Sequence, residues 1–384
     1  MGIQHELPGH TLFSVSYVGS KGTQLTERLD LNQLQPVSAA NNPYPAGVPI
    51  TGNDCSSIVF DPTTGLPASA TIGSGIPVSG PAVVNLAVAC GNNVAPYYRP
   101  FPGYAKITRI QPGANSIYHA LQVGAQRTVG DLTFSFSYTY SHSIDNASDY
   151  NDNSFVNGYN LPGNRASSNF DIRHSASITY VYAIPLFKHS EGLTRTLLGG
   201  WQASGITVIQ SGLPFTVVNG SQFSDNAGVA KGGGLGTPSY LDVVGNPNVV
   251  PASELAVLGG ATPTFGVLRY NPAAFALPTG LTFGDSGRND LRLPGRTNFD
   301  FGLFKRFAFK ERYAFEFRWE NFNVFNHTQL DQLGSTTNNS GVGLTTTDGC
   351  NATNASYTTC GPGFLLLNGA HNPRIMQFGL RFQF

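Results

Sequence analysis

The sequence predicts an all-β chain of about eight antiparallel strands, joined by connections of two very different lengths. Three observations predict it. Apolar and polar residues alternate with period two in several long stretches. Charged residues make up only 11% of the 384 positions. Short and long connections take turns along the chain. Period-two alternation is the pattern of a strand whose two faces meet unlike surroundings.

Thr11–Gly19 comes first, with Phe13, Val15 and Tyr17 on one face. Ser116–Thr128 follows, carrying Ile117, Leu121, Val123 and Ala125. Leu132–Tyr140 reads LTFSFSYTY, so Leu132, Phe134, Phe136, Tyr138 and Tyr140 oppose Thr133, Ser135, Ser137 and Thr139. In Ser175–Ile184, Ala176, Ile178, Tyr180, Tyr182 and Ile184 share a face. Gly200–Ser211 and Asn298–Arg306 are weaker, the latter with Phe299, Phe301 and Leu303. Arg312–Glu320 sets Tyr313, Phe315, Phe317 and Trp319 against Arg312, Glu316, Arg318 and Glu320. Arg374–Phe384 sets Met376, Phe378, Leu380, Phe382 and Phe384 against Gln377, Gly379, Arg381 and Gln383. Runs of ~9–13 residues are long enough to cross a bilayer at a tilt.

The connections choose between a barrel and a sandwich. Residues 128–132 and 306–312 are tight turns, the first through Gly130-Asp131, and 185–199 is of moderate length. The long ones span about 20–115, 141–169, 212–297 and 324–373. Outer-membrane barrels sort their connections this way, with short periplasmic turns and long extracellular loops; a sandwich has no reason to. With the C-terminus periplasmic, Arg374–Phe384 runs inward, Thr11–Gly19 runs outward, and every long connection falls outside. Tyr104–Ile110 is strand-like but would break this parity, so it is assigned to the first external loop.

Composition agrees. A typical soluble domain has roughly 25% charged residues, needed on its surface and at its sheet edges. A wall facing lipid must exclude them from one face. Lys+Arg 22 balances Asp+Glu 22, so no net field draws in nucleic acid. Mean hydropathy is −0.10, and no apolar run is long enough for a transmembrane helix. Tyr138, Tyr140, Tyr180, Tyr182, Trp201, Tyr313 and Trp319 cluster near strand ends, where a bilayer interface holds amphipathic rings. The opening MGIQHELPGHTLFSVSYVG lacks the basic and apolar regions of a signal peptide. The expectation is a single partial barrel domain over 1–384, cut from a longer outer-membrane protein.

Few motifs carry chemistry. Cys55, Cys90, Cys350 and Cys360 fall two and two in polar stretches. They read as local loop disulfides, Cys55–Cys90 and Cys350–Cys360, with free buried thiols as the alternative. Gly284-Asp285-Ser286-Gly287 resembles a protease nucleophile loop, but it lacks the flanking segments and a histidine base, and reads as a turn. Asp171, Arg173 and His174 form an acid–base triplet by type, with Asp171 and Arg173 placed to pair in the lumen. The histidines show no metal spacing, and Lys231-Gly232-Gly233-Gly234 lacks a phosphate-loop frame. Glu316, Arg318, Glu320 and Arg381 face the lumen, either as a pairing network or as a lining for a plug or ligand. No enzyme activity and no cofactor are expected.

Several segments together resemble a known family: YVGSKGTQL (17–25), ANSIYHALQV (114–123), SNFDIRHSASITYVYAIP (168–185), GDSGRNDLRLPGRTNFDFGLFKRF (284–307), RWENFNVFNHTQL (318–330) and the closing RIMQFGLRFQF. In this order they resemble the C-terminal barrel half of TonB-dependent receptors of the Oar-like kind, which carry a carboxypeptidase-regulatory-like domain. The resemblance implies uptake of a bulky ligand across the outer membrane. It also implies an N-terminal plug and barrel half, contact with TonB only through that plug, and a barrel of ~22 strands. It makes Phe384, with Phe382 and Leu380, part of the signal read by the barrel assembly machinery. Two other functions fit the alternation: a small autonomous outer-membrane barrel with a structural or adhesive role, and a secreted soluble β-sandwich that binds glycans.

Overall fold

The computed structural model describes residues 1–73, 75–149, 156–230, 238–250, 267–309, 313–333, 336–338, 341–344 and 364–384. Nine long strands form one antiparallel sheet: β1 (Gly2–Leu7), β2 (Thr11–Asp30), β3 (Thr108–Arg127), β4 (Leu132–Asp145), β5 (His174–Ala183), β6 (Trp201–Gln210), β7 (Arg296–Phe309), β8 (Tyr313–Phe322) and β9 (Ile375–Gln383). They pair in chain order from β1 to β9, and a two-residue strand, Ala166–Ser167, adds to the top of β4. This is the meander that short turns produce. Gly130 adopts φ +87°, which lets the chain reverse between β3 and β4 within a few residues.

The register carries the alternation across the sheet. Phe136 pairs with Ile178, Gly205 with both Tyr180 and Phe301, Leu303 with Trp319, and Trp319 with Phe378. All lie on one face. Their rings interlock there: Trp319 stacks on Phe378 at 6.2 Å, and Trp201 meets Phe317 edge-on at 6.0 Å. The Tyr180 ring covers Gly205, where any Cβ would lie 2.6 Å from it. The opposite face carries Ser135, Thr179, Ser204, Asp300 and Glu320.

Curvature settles which face is which. One cavity of about 430 Å³ touches Gln126 on β3, Ser135 on β4, Thr179 on β5, Ser204 on β6, Asp300 on β7 and Glu320 on β8. With neighbouring strands roughly 4.8 Å apart, a cavity that small reaches six strands only if the sheet curls around it. The polar face is therefore concave and the aromatic face convex. A soluble sandwich buries its apolar face against a second sheet. Here that face is bare, with Phe378 69% exposed and Phe384 94% exposed. Among the described residues, the buried apolar side chains of the nine strands other than Leu29 are all alanines: Ala114, Ala120, Ala203 and Ala314.

The structure corrects the expected boundaries. The eight expected strands are present, and β1 adds a ninth, paired from Gly2–Ser16 to Leu7–Thr11. Strands β2 and β3 are 20 residues each. At ~3.3 Å per residue they outreach a ~30 Å hydrocarbon layer even when tilted. The long connections are therefore 31–107, 146–173, 211–295 and 323–374, and Thr108–Ile110 of the strand-like piece belongs to β3 rather than to a loop. Alternation fades in Lys21–Asp30 because that part stands above the bilayer, where one face need no longer be apolar.

Where described, the long connections are not open coil. They fold over one end of the sheet into a packed cap. In the first, the capping box of Thr51 and Asp54 starts a short helix, α1 (Gly52–Ser56). A second helix, α2 (Pro81–Ala89), is buried at every residue after Pro81. Leu86, Ala87, Ile50, Ile72 and Val78 form its core with Leu281 of the third connection. Cys55 and Cys90 are bonded, their Cα atoms 5.6 Å apart. Cys350 and Cys360 lie outside the described residues, as does Lys231–Gly234. A second core joins Phe215, Leu241, Phe275 and Leu291 of the third connection to Phe364, Leu365 and Leu367 of the fourth.

Candidate functional site

The concave face is the first part of the site. Ser135, Thr179 and Ser204 give it hydroxyls, and Asp300 and Glu320 give it carboxylates. Asp300 accepts from the Asn298 side chain at 2.9 Å and from the Asn323 amide at 2.9 Å. Glu320 accepts from Gln377 on β9 at 2.5 Å. The Arg318 Nε donates to Glu316 at 2.5 Å, and the guanidinium lies 5.9 Å from the Phe304 ring centre. Arg381 stands opposite Glu316 in the register. The four charges named from the sequence therefore share the concave face, and three of them are tied into polar contacts along the wall. Period-two alternation predicts no apolar side chains among them. Val181, Ile206, Phe304 and Phe322 nevertheless line the same cavity, and Ile206 is 48% exposed there.

The second part is the rim, where the cap meets the wall. Asp145 ends β4 and is fully buried. Arg288 of the third connection reaches it at 2.8 Å, both side chains at most 2% exposed. Arg288 also donates to Ser148 at 2.8 Å. Beside it, Asn289 donates to the Ser167 carbonyl at 2.7 Å. Buried charges need this much pairing, since an unpaired one costs several kcal/mol. A second cluster centres on Asp171. Its side chain is 1% exposed and contacts Arg173 at 3.0 Å, His142 at 3.2 Å and Arg292. Burial alone would raise the Asp171 carboxyl. The Ser143 amide, Arg292 and His142 outweigh it and hold the group below the ordinary carboxylate value.

This corrects the triplet read from the sequence. Asp171 and Arg173 do pair, but at the rim, and the histidine is His142 rather than His174. His174 faces outward, 2.9 Å from the Tyr138 hydroxyl and tilted against the Tyr140 ring. Gly284–Gly287 is a turn inside the cap. The Ser286 hydroxyl is buried between the Val217 carbonyl and the Leu241 amide, at 3.4 and 3.3 Å. Arg288 and Arg292 were missed. Two arginines within five residues of a long loop, in a chain so poor in charge, were the signal available.

The third part is the cap itself. Its connections interlock: the Tyr159 hydroxyl donates to the Gln33 carbonyl at 2.7 Å, and Asn85 inside α2 donates to the carbonyls of Gln35 at 2.9 Å and Gly228 at 3.0 Å. Residues Thr216–Asn219 pair in parallel with Gly341–Leu344. Burial pushes the Tyr44 hydroxyl far above its usual range, and the neighbouring Asp54 carboxylate pushes it further. Among the described residues no group of histidine, cysteine and acidic side chains could hold a metal ion.

Phe384, Phe382 and Leu380 lie on the convex face of the last strand, at the end away from the cap. A curved antiparallel sheet with a bare aromatic convex face, a polar concave face and all its long connections at one end is the wall of a transmembrane β-barrel. The family model described as an outer membrane beta barrel domain matches residues 1–358. The chain belongs to that family and resides in the outer membrane. No curated protein and no solved structure matches it.

Proposed function

We propose that the chain is the C-terminal barrel segment of a TonB-dependent outer-membrane receptor that takes up a bulky ligand, and that it is not an enzyme. One observation carries this reading: the two outermost strands run the same way. Among the described residues, strands β1 and β9 each pair on one side only, and nine antiparallel strands give both the same direction. Direct closure would need a parallel seam. An antiparallel closure needs an odd number of further strands, and open edges in lipid are very costly. The curl around a cavity fits a wall that continues into a larger barrel. The apolar patch of Val181, Ile206, Phe304 and Phe322 suits a folded plug better than a water-filled pore. The packed cap offers extracellular surface for ligand.

The test is to recover the polypeptide that carries this chain from its own outer membrane. Its mass and its cross-linking to TonB are then measured. A product long enough for a plug and further strands, cross-linked to TonB, is the expected outcome. A closed barrel made from these 384 residues alone sinks the reading in favour of a small autonomous barrel.

A further inference from the structure

At the end of the wall away from the cap, the connection 184–200 between β5 and β6 is longer than its neighbours and exposes its apolar residues. It contains a short helix, α3 (Gly192–Leu198), with no buried residue. Leu186 is 62% exposed, Leu193 78%, Leu197 56% and Leu198 50%, with Phe187 half-exposed beside them. Among the described residues nothing covers them. Exposed apolar side chains occur elsewhere outside the sheet, among them Val59, Phe170 and Phe325, but they are scattered, whereas these four leucines share one connection.

The helix is fastened to the convex side of the wall. Lys305 faces outward in the register, opposite Trp201 and Phe317. Its ammonium donates to the Leu197 carbonyl at 3.1 Å and also to the Gly199 carbonyl, closing the helix C-terminus. It lies 5.3 Å from the Trp201 ring centre and 4.9 Å from that of Phe307. The Trp201 indole N–H donates to the same Leu197 carbonyl at 3.2 Å. Lys305 itself is only 3% exposed, so a cation that would be costly against lipid is enclosed by rings and carbonyls. The ionisable residues of the connection are Lys188, His189, Arg195 and the single acid Glu191. Lys188 also reaches Asp131 of the neighbouring turn at 3.4 Å.

We propose that residues 184–200 form an interfacial anchor, seated in the periplasmic leaflet of the outer membrane. Leu193, Leu197 and Leu198 enter the acyl boundary, Lys188 and Arg195 meet lipid phosphates, and Lys305 latches the helix to the wall. The occupant is lipid because the exposed leucines continue the aromatic convex band through Trp201, and because the flanking charge is mainly positive. The inference rests on the convex face meeting lipid.

Single cysteines at Leu193 and Leu197 test it, in the whole protein purified from the outer membrane, with Cys350 and Cys360 replaced by serine. Each is labelled with an environment-sensitive fluorophore in phosphatidylethanolamine–phosphatidylglycerol vesicles. Quenching by acyl-chain spin-labelled phospholipid is compared with quenching by iodide present on both sides. F378C on the convex face is the lipid reference, and H10C in the β1–β2 turn is the aqueous one. L193C and L197C should follow F378C, with loss of iodide quenching. Iodide quenching at both, with F378C still quenched by lipid, overturns this inference alone. Quenching by neither agent also overturns it and points to a protein partner. Iodide quenching of F378C overturns the membrane wall and the anchor together. K305M should shift L197C from lipid to iodide while leaving F378C unmoved; an unmoved L197C removes Lys305 as the latch.

Discussion

The wall and the cap solve the folding problem in opposite ways. In the nine strands almost nothing apolar is buried except alanine, and most of the large rings stand outward. In the cap, leucines, valines and phenylalanines are packed into two closed cores, and Cys55–Cys90 and the Asp145–Arg288 pair tie them down. The wall holds itself by backbone pairing, which hydrocarbon enforces because no water competes for the bonds. The cap sits in water and holds itself by burial. One chain is thus folded for two solvents, and the change falls at the rim where Asp145 and Asp171 sit. Perturbations should divide accordingly: damage to the rim or cap leaves the wall standing, and damage to the convex face leaves the cap core intact.

Breaking the buried ion pair should have the largest effect. Arg288→Met leaves Asp145 buried without its cation, a change that costs about 3–5 kcal/mol. The third connection should come off the wall. Limited proteolysis of intact outer membranes would then cut between 211 and 295 while the strands stay protected. Unchanged protease resistance would show that the pair does not hold the cap.

Next comes the cap core. Leu86 is fully buried in α2, and Leu86→Ala should cost about 2–5 kcal/mol. Removing the Cys55–Cys90 bond should cost about 2–4 kcal/mol. Both losses should appear as a lower denaturant midpoint for the cap, equally in detergent and in lipid, because neither group meets the membrane. A loss that appeared only in lipid would contradict the division.

The same division explains what could be read from the sequence. Lipid contact forces an apolar residue at every second position, so β5, β8 and β9 are legible almost to the residue, and β4 over Leu132–Tyr140 but not over its last five residues. The upper halves of β2 and β3 were not, because above the bilayer each face is decided by what the cap lays against it. Strand β1 was missed because Gly2–Leu7 has one outer partner, and Ile3, His5 and Leu7 make a weak pattern. The cap was the least legible part. Its cores join residues far apart in the chain, such as Leu86 to Leu281 and Phe275 to Phe364, and no local period announces such contacts. The charged lumen residues were legible because they fall opposite the rings; the rim arginines were not, because each pairs with a carboxylate over a hundred residues away.

A smaller effect separates the two faces of the wall. Phe301 is convex and Ser204 is concave, one position from each other across the β6–β7 pair. Phe301→Arg should cost roughly 2–4 kcal/mol near the bilayer midplane, read as a lowered urea midpoint in vesicles. Ser204→Arg should cost far less, because its side chain enters the lumen. Equal penalties would undo the assignment of the faces.

The smallest effect is expected from acid, and it is confined to the rim and cap. Asp171 is held below its ordinary value of 3.8 when folded. Its carboxylate therefore stabilises the docked cap at every pH above that ordinary value. That contribution is lost as the pH falls through the lower folded value. Asp242 works the other way. Burial raises its carboxyl, two bonds from Thr279 oppose this, and the nearby Asp285 adds to the rise. Its protonated form is the better folded one, so its contribution grows as the pH falls through the raised value toward 3.8. Cap docking, followed by proteolysis along an acid series, should first hold or tighten slightly and then loosen below the ordinary carboxylate range. D242N should remove the early gain and D171N the late loss, with the wall's pairing unaffected by either. A late loss that survives in D171N would mean that the rim is held by some other carboxylate, and Asp145 would be the one to change next.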